Sequence, residues 1–128
     1  MTIARFTAGG DIAQGAAVYV APGGVIYTAS AKTVQTASVV GVAMEAGYLG
    51  TVVPVNLDAV YTDYSNLIPG KPLYLSIASS GVLVSSSGWL EEFASYSGDA
   101  YQTFMGRCVS TSGLSIEISP PVLIAYSG

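Results

Sequence analysis

Apolar residues gather along this chain in short runs, each ending at Gly, Pro, Ser or Asn. Ala17-Val18-Tyr19-Val20, Val25-Ile26-Tyr27-Thr28, Val39-Val40-Gly41-Val42-Ala43 and Thr51-Val52-Val53-Pro54-Val55 are the first four. Leu73-Tyr74-Leu75-Ser76-Ile77, Val82-Leu83-Val84 and Leu114-Ser115-Ile116-Glu117-Ile118 follow. All are rich in the β-branched and aromatic residues that suit a pleated surface, so each is predicted to be a strand. The last alternates apolar with polar and is expected to keep one solvated face. Ala21-Pro22-Gly23-Gly24 separates the first two runs, and its glycines reach positive φ without steric cost, which predicts a hairpin. Only from Ser87 to Phe104 does a helical pattern compete, because Trp89, Leu90, Phe93 and Ala94 are spaced by one, three and four. Gly88, Ser95, Ser97, Gly98 and Asp99 crowd that segment, so it is expected to be an irregular loop holding no more than a helical turn. Fifteen glycines and six prolines also disfavour long helices. The predicted class is all-β.

The chain also resembles itself. Asp11 to Val20 overlays Asn66 to Leu75, pairing Gly15 with Gly70 and Tyr19 with Tyr74. Both copies pass a small-residue turn ending in Gly24 or Gly81, then run apolar through Val25-Ile26-Tyr27 or Val82-Leu83-Val84. Val40-Gly41-Val42-Ala43 matches Met105-Gly106-Arg107-Cys108, and Thr51 to Val55 is laid over Leu114 to Ile118. Two copies are too few for a solenoid, which needs about three repeats. The expectation is a compact barrel or sandwich in which two pseudo-repeated β units share one core. The 128 residues suit a single domain, 1–128, with a short arm at 1–6 and a docking tail at 120–128.

Composition narrows function. Charged residues are 9% of the chain, against a usual level of about 25%, and hydrophobic residues are 51%. The surface is therefore expected to be neutral and polar, or covered by partners. A net charge of −4 with four Lys plus Arg leaves no basic footprint for nucleic acid. The first residues show no apolar run of signal-peptide type, and no stretch approaches the ~20 apolar residues of a membrane span, so no membrane partner is expected. Cys108 is the single cysteine and there is no histidine, which removes an internal disulfide, a Cys/His zinc cluster and the commonest general base.

The remaining candidates for chemistry have plain structural readings. Asp58, Asp63 and Asn66 offer oxygen ligands for a hard cation, but the spacing is not that of an EF-hand, and turn capping explains them as well. Glu91 and Glu92 are adjacent and do not form a catalytic pair unaided; Asp99 and Glu117 supply no fixed separation either. Any serine nucleophile would depend on Lys32, in a polar stretch, or Lys71, which reads as an edge charge that discourages strand addition. Cys108 in a predicted strand reads as an inert buried thiol. Ala8-Gly9-Gly10-Asp11 places an acid where a phosphate loop needs none. No cofactor, no metal and no enzymatic activity are expected. The nine tyrosines, among them Tyr48, Tyr61, Tyr64, Tyr96, Tyr101 and Tyr126, suit an interface or the stacking of sugar rings as well as ordinary strand positions. The tail Pro120-Pro121-Val122-Leu123-Ile124-Ala125-Tyr126-Ser127-Gly128 is apolar without alternation and is expected to dock, with a neighbouring subunit favoured slightly over its own core.

The order of these pieces resembles the small capsid decoration, or cement, proteins of tailed bacteriophages. The matching features are Ala8-Gly9-Gly10-Asp11-Ile12 with Gly15 and Val18, Gly24-Val25, Val40-Gly41-Val42-Ala43, and Gly50 with Val52 to Val55. Leu67-Ile68-Pro69-Gly70 with Leu73-Tyr74, then Gly81, Gly106 and Ile116 to Ile118 complete the pattern, which covers about Thr7 to Ser119. The chain departs from it at Asn56-Leu57-Asp58-Ala59, where a turn glycine is expected, and in the longer Ser87 to Thr103 segment. The resemblance implies a β-barrel-like domain made in the host cytoplasm and a homotrimer bound to the major capsid protein on the outer surface of the virion. Ile3, Phe6, Val122, Leu123, Ile124 and Tyr126 are the expected oligomer interface. The alternative is a receptor-binding or carbohydrate-binding domain of a phage fibre or spike.

Overall fold

A computed structural model describes residues 2–96 and 98–124, so Tyr126 lies outside the described residues. The protein is all-β. Among the described residues, two helices hold four and ten residues, and twelve strands make up the regular remainder. The first five strands are β1 (Ile3–Ala8), β2 (Ala17–Val20), β3 (Val25–Thr28), β4 (Gly41–Ala43) and β5 (Val52–Asn56). They close on themselves in the order β1-β3-β2-β4-β5, because β1 pairs with β3 on one side and β5 on the other. The residues expected as an arm at 1–6 thus contribute Ile3 to Phe6 to a strand of this barrel. The second sheet comprises β6 (Val60–Tyr61), β7 (Pro72–Leu75), β8 (Leu83–Val84), β10 (Phe104–Cys108) and β11 (Leu114–Ile116), in the order β6-β11-β10-β7-β8. A separate ribbon joins β9 (Ala100–Gln102) to β12 (Val122–Ile124).

The pseudo-repeat holds down to individual residue pairs. Tyr19 faces Tyr27 across β2 and β3, and Tyr74 faces Val84 across β7 and β8. Val18 faces Gly41 in the first unit, as Leu73 faces Gly106 in the second. Ala43 faces Val55, and Cys108 faces Leu114. Ala4 faces Val55, and Tyr61 faces Leu114. The turn glycines Gly15 and Gly70, and Gly24 and Gly81, all have positive φ. One part of the sequence overlay is corrected: the equivalent of Val55 is Leu114, so Thr51 to Val55 does not lie over Leu114 to Ile118. Strand order agrees as well, with one exception. Four of the five junctions of the barrel recur in the second unit, and no pairing between β6 and β8 is present among the described residues to match β1 with β3.

The expectation of one shared core is also corrected. Ala8, Ile12, Ala16, Val18, Ile26, Ala43, Val53 and Val55 fill the barrel. A second, larger cluster contains Leu73, Leu75, Trp89, Met105, Leu114 and Ile116 of the second unit, together with Ala17, Ala29, Ala31 and Val42 from the outside of the first. Period-two alternation explains the division, since successive residues of a strand point to opposite faces. Ala17 and Val42 look toward the second unit while their neighbours Val18 and Ala43 look into the barrel. With both faces covered, these strands lose the apolar-polar alternation of a half-exposed strand.

Ser86–Ser95 forms a ten-residue helix, α2, where no more than a turn was expected. Serine density suggests a loop, but Ser85 is the cap: its hydroxyl accepts a hydrogen bond from the Gly88 amide at 3.2 Å. Trp89 and Phe93, four residues apart, stack at 5.3 Å and turn one side of the helix into the larger core, leaving Leu90 exposed. A shorter helix, α1 (Val34–Ala37), is capped by Thr33 within the stretch read as polar loop. At Asn56, where a turn glycine was missing, the side-chain oxygen accepts from the Ala59 amide at 2.9 Å and closes the turn instead.

The equivalent glycines Gly41 and Gly106 sit where neighbouring backbone leaves no room for a side chain. A Cβ on Gly106 would meet the Ser115 carbonyl oxygen, and one on Gly41 would meet that of Asn56. Gly106 has a φ of +142°, a region essentially restricted to glycine. Gly106→Ala is therefore expected to cost about 1–3 kcal/mol in backbone strain and about 1–3 kcal/mol more in overpacking. Gly23→Ala, also at positive φ but facing open space, is expected to cost only about 1–2 kcal/mol. Urea denaturation of the two variants measures the difference, and equal losses would refute the steric account.

Candidate interaction surfaces

The sequence-selected polar residues do not converge. Asp58 accepts from the Thr2 amide at 2.8 Å, and that bond holds its carboxyl below the usual carboxylate range. Asp63 accepts from the Gln14 side chain at 3.0 Å, and Asn66 occupies a turn with φ +60°. Among the described residues, no group of three His, Cys, Asp or Glu side chains is placed to hold a metal. Among these residues also, no helix is long and apolar enough to cross a membrane.

Glu92 has a structural task that its neighbour Glu91 lacks. Its carboxylate accepts from the Ser76 hydroxyl at 2.8 Å, the Ile77 amide at 2.8 Å and the Ala78 amide at 3.4 Å. Ser76 is buried, so the carboxylate ties α2 to the turn between β7 and β8 and satisfies donors cut off from water. Lys32 and Glu91 line an open cleft beside this tie. Lys71 stands just before β7, at the end where that strand is paired with β10 and not yet with β8, whose pairing begins at Tyr74. Cys108 is buried and desolvation raises its thiol pKa, which keeps it protonated and unreactive near neutrality. Gly9 and Gly10 form the seat of the Tyr27 ring, which a side chain on Gly9 would strike.

The tyrosines split into separate tasks. Tyr61 and Tyr64 pack at 4.6 Å against each other and over Gly15, and the Tyr64 hydroxyl donates to the Gly15 carbonyl at 2.8 Å. With the bond from Gln14 to Asp63, this clasp draws residues 61–64 onto the barrel. Tyr19 stacks with Tyr27 at 6.1 Å, while Tyr96 and Tyr101 pack against the larger core. Tyr27 and Tyr48 are exposed, and neither lines the two clefts beside β8 or the cleft at Lys32 and Glu91.

Two apolar surfaces stand out. The connection from β4 to β5 ends in a tight turn in which Tyr48 is 66% exposed and Leu49 73%, with Val52 beside it at 60%. This tip is held firmly. The Thr51 hydroxyl accepts from the Tyr48 amide and donates to the Tyr48 carbonyl, at 3.0 and 2.8 Å. Gly47 bonds both ways with Ile12, and Gly50 donates to Ala8. Two apolar residues between Gly47 and Gly50 were the signal in the sequence, overlooked because turns are normally polar. The second surface is β12, where Val122 is 56% exposed and Leu123 51%.

The residues expected as an oligomer interface are not gathered in one place. Ile3 is exposed at the start of β1, whereas Phe6 packs against the barrel interior. Val122, Leu123 and Ile124 pair with Gln102, Tyr101 and Ala100 of their own chain. Ile124 packs on the larger core. The tail therefore uses its backbone internally while two of its side chains remain outside.

No protein-family model matches this chain, and no curated protein matches its sequence.

The Tyr clasp sets an alkaline limit. Burial, and the neighbouring Tyr61, raise the Tyr64 pKa above its ordinary value of 10.0. Above pH 10 the unfolded chain ionises this phenol while the folded protein resists, so the stabilisation is complete below pH 10 and is lost as pH rises through the folded value. Tyr64→Phe is expected to lose about 0.5–1.5 kcal/mol at pH 7 with its hydrogen bond, and to show a shallower stability loss above pH 10. Urea midpoints at pH 7 and above pH 10 measure both effects.

Proposed function

We propose that the protein is a structural component of a tailed-phage virion, a decoration protein that binds the outside of the capsid as a homotrimer and stabilises the shell through contacts with the major capsid protein. The rigid tip carrying Tyr48, Leu49 and Val52 is the observation that carries this reading. Its hydrogen bonds fix the tip before contact, so little conformational freedom is lost when it is buried. A lattice clamp needs added apolar burial at subunit junctions rather than a reactive pocket, and the low charge of the chain suits neutral contacts. The resemblance in glycine spacing supports the same assignment. A sugar-binding fibre domain is less favoured, because Tyr27 and Tyr48 do not come together in a groove.

Co-sedimentation with capsids lacking the protein, followed by thermal melting of the particles, tests the proposal. Binding is expected to persist from 0.1 to 1 M salt, although the Debye length falls from about 10 to about 3 Å, and to raise the particle melting temperature. Losing a buried leucine costs about 1.5–3 kcal/mol, so Leu49→Asp is expected to weaken each contact by at least about tenfold. Three engaged sites on a trimer multiply that loss. Protein left in the supernatant, or bound without a melting shift, refutes the cement role; binding lost at 1 M salt refutes the apolar mechanism.

A further inference from the structure

The second unit is the first with one junction unmade, and the position of that gap identifies a docking site. In the barrel, Thr7 and Ala8 of β1 run parallel to Val25 and Ile26 of β3. Carrying the register over, the corresponding residues are Tyr64 and Ser65 on one side and Val82 and Leu83 on the other. These four residues line a single cleft of about 310 Å³. A second cleft of about 640 Å³ shares Ser65, Leu67, Leu73 and Leu83 with it, so the opening continues along β8. The Tyr64 bond to Gly15 explains the gap, since it draws the segment that would close the unit onto the barrel. Among the described residues β8 is thus left paired on one side only, with β7.

Unpaired strand edges are templates for strand addition. The first cleft has no charged lining residue and the second has only Lys71, so the site suits an uncharged, apolar, extended segment. The chain carries one. Among the described residues β12 pairs only with β9; it contains no charge and leaves Val122 and Leu123 more than half exposed. Its three residues suffice, because the equivalent junction in the barrel consists of two residue pairs.

We propose that β12 of one copy docks along β8 of the next, parallel to it, in the place that β1 occupies beside β3. The contact joins two different surfaces and is therefore heterologous, so repeating it closes a ring or grows a filament. A ring of three is the form that agrees with the homotrimer of the proposed function, on which this inference rests.

Analytical ultracentrifugation of the full chain, Val82→Asp and Leu123→Asp tests it. Both positions are about half exposed in one copy, and circular dichroism checks that the variants fold. The full chain is expected to sediment as three copies and each variant as one, a threefold fall in mass. Mixing the variants is expected to restore dimers, because Val82→Asp retains a sound β12 and Leu123→Asp a sound β8. Hydrogen exchange on the unmodified chain reads the site independently, with protection at the Leu83 amide, which points to the free edge of β8, rising with protein concentration. A monomeric full chain overturns the inference. So does a trimer that survives both substitutions, or one in which the Leu83 amide exchanges freely. Capsid binding is measured separately, so a failed ring with intact capsid binding leaves the cement role standing.

Discussion

Burial of β2 and β4 on both faces is the constraint on which the rest of the structure depends. Ala17 and Val42 belong to one core while their immediate neighbours Val18 and Ala43 belong to the other. Neither unit can therefore be moved without exposing apolar surface in both. Small side chains are required on the shared side, and Ala17, Ala29, Ala31 and Ala37 supply them, allowing the second unit to approach closely. The Thr103 hydroxyl, buried at this contact, donates to the Ala37 carbonyl at 2.8 Å. That bond adds direction to an otherwise apolar interface, because a misplaced approach would strand a polar group away from water.

Close approach also breaks the symmetry between the units. Tyr61 is equivalent to Ala4 by strand register, and where Ala4 has a methyl the Tyr61 ring extends to Gly15 of the other unit. The pair Tyr61 and Tyr64 packs over Gly15, and that packing takes the chain away from β8. A barrel needs every strand to find two partners. One unit meets the condition, and the other gives up its last junction for a contact between units.

Much of this was legible in the chain. The turn glycines and the apolar runs between them fixed the hairpins, and the overlay of Gly15 on Gly70 and Gly41 on Gly106 anticipated residue pairs in the sheets. The error in the fifth strand arose because Thr51 to Val55 contains no glycine to anchor the overlay. The helix at Ser86–Ser95 was hidden for a different reason. Its cap, Ser85, is indistinguishable by composition from the serines of a loop, and its stabilisation comes from Trp89 meeting a core built by distant strands. Glu92 was unreadable as an anchor because its partners lie on the turn after β7. Tyr64 read as an ordinary tyrosine, since its role depends on a carbonyl 49 residues earlier.

The high apolar content has two sources that the sequence alone merges. Strands covered on both faces consume apolar residues at consecutive positions, as in Ala16-Ala17-Val18 and Val42-Ala43, with no bearing on partners. Subtracting that demand leaves an exposed remainder that includes Ile68, Leu90 and Val109 as well as Tyr48, Leu49 and Val52 at a fixed turn and Val122 and Leu123 on β12. Single exposed apolar side chains need no explanation, but groups on well-held backbone do. That the two groups belong to different sheets is itself informative. A surface for the shell and a surface for a second copy have to be distinct if a ring is to sit on a lattice, because a patch consumed by one contact is closed to the other.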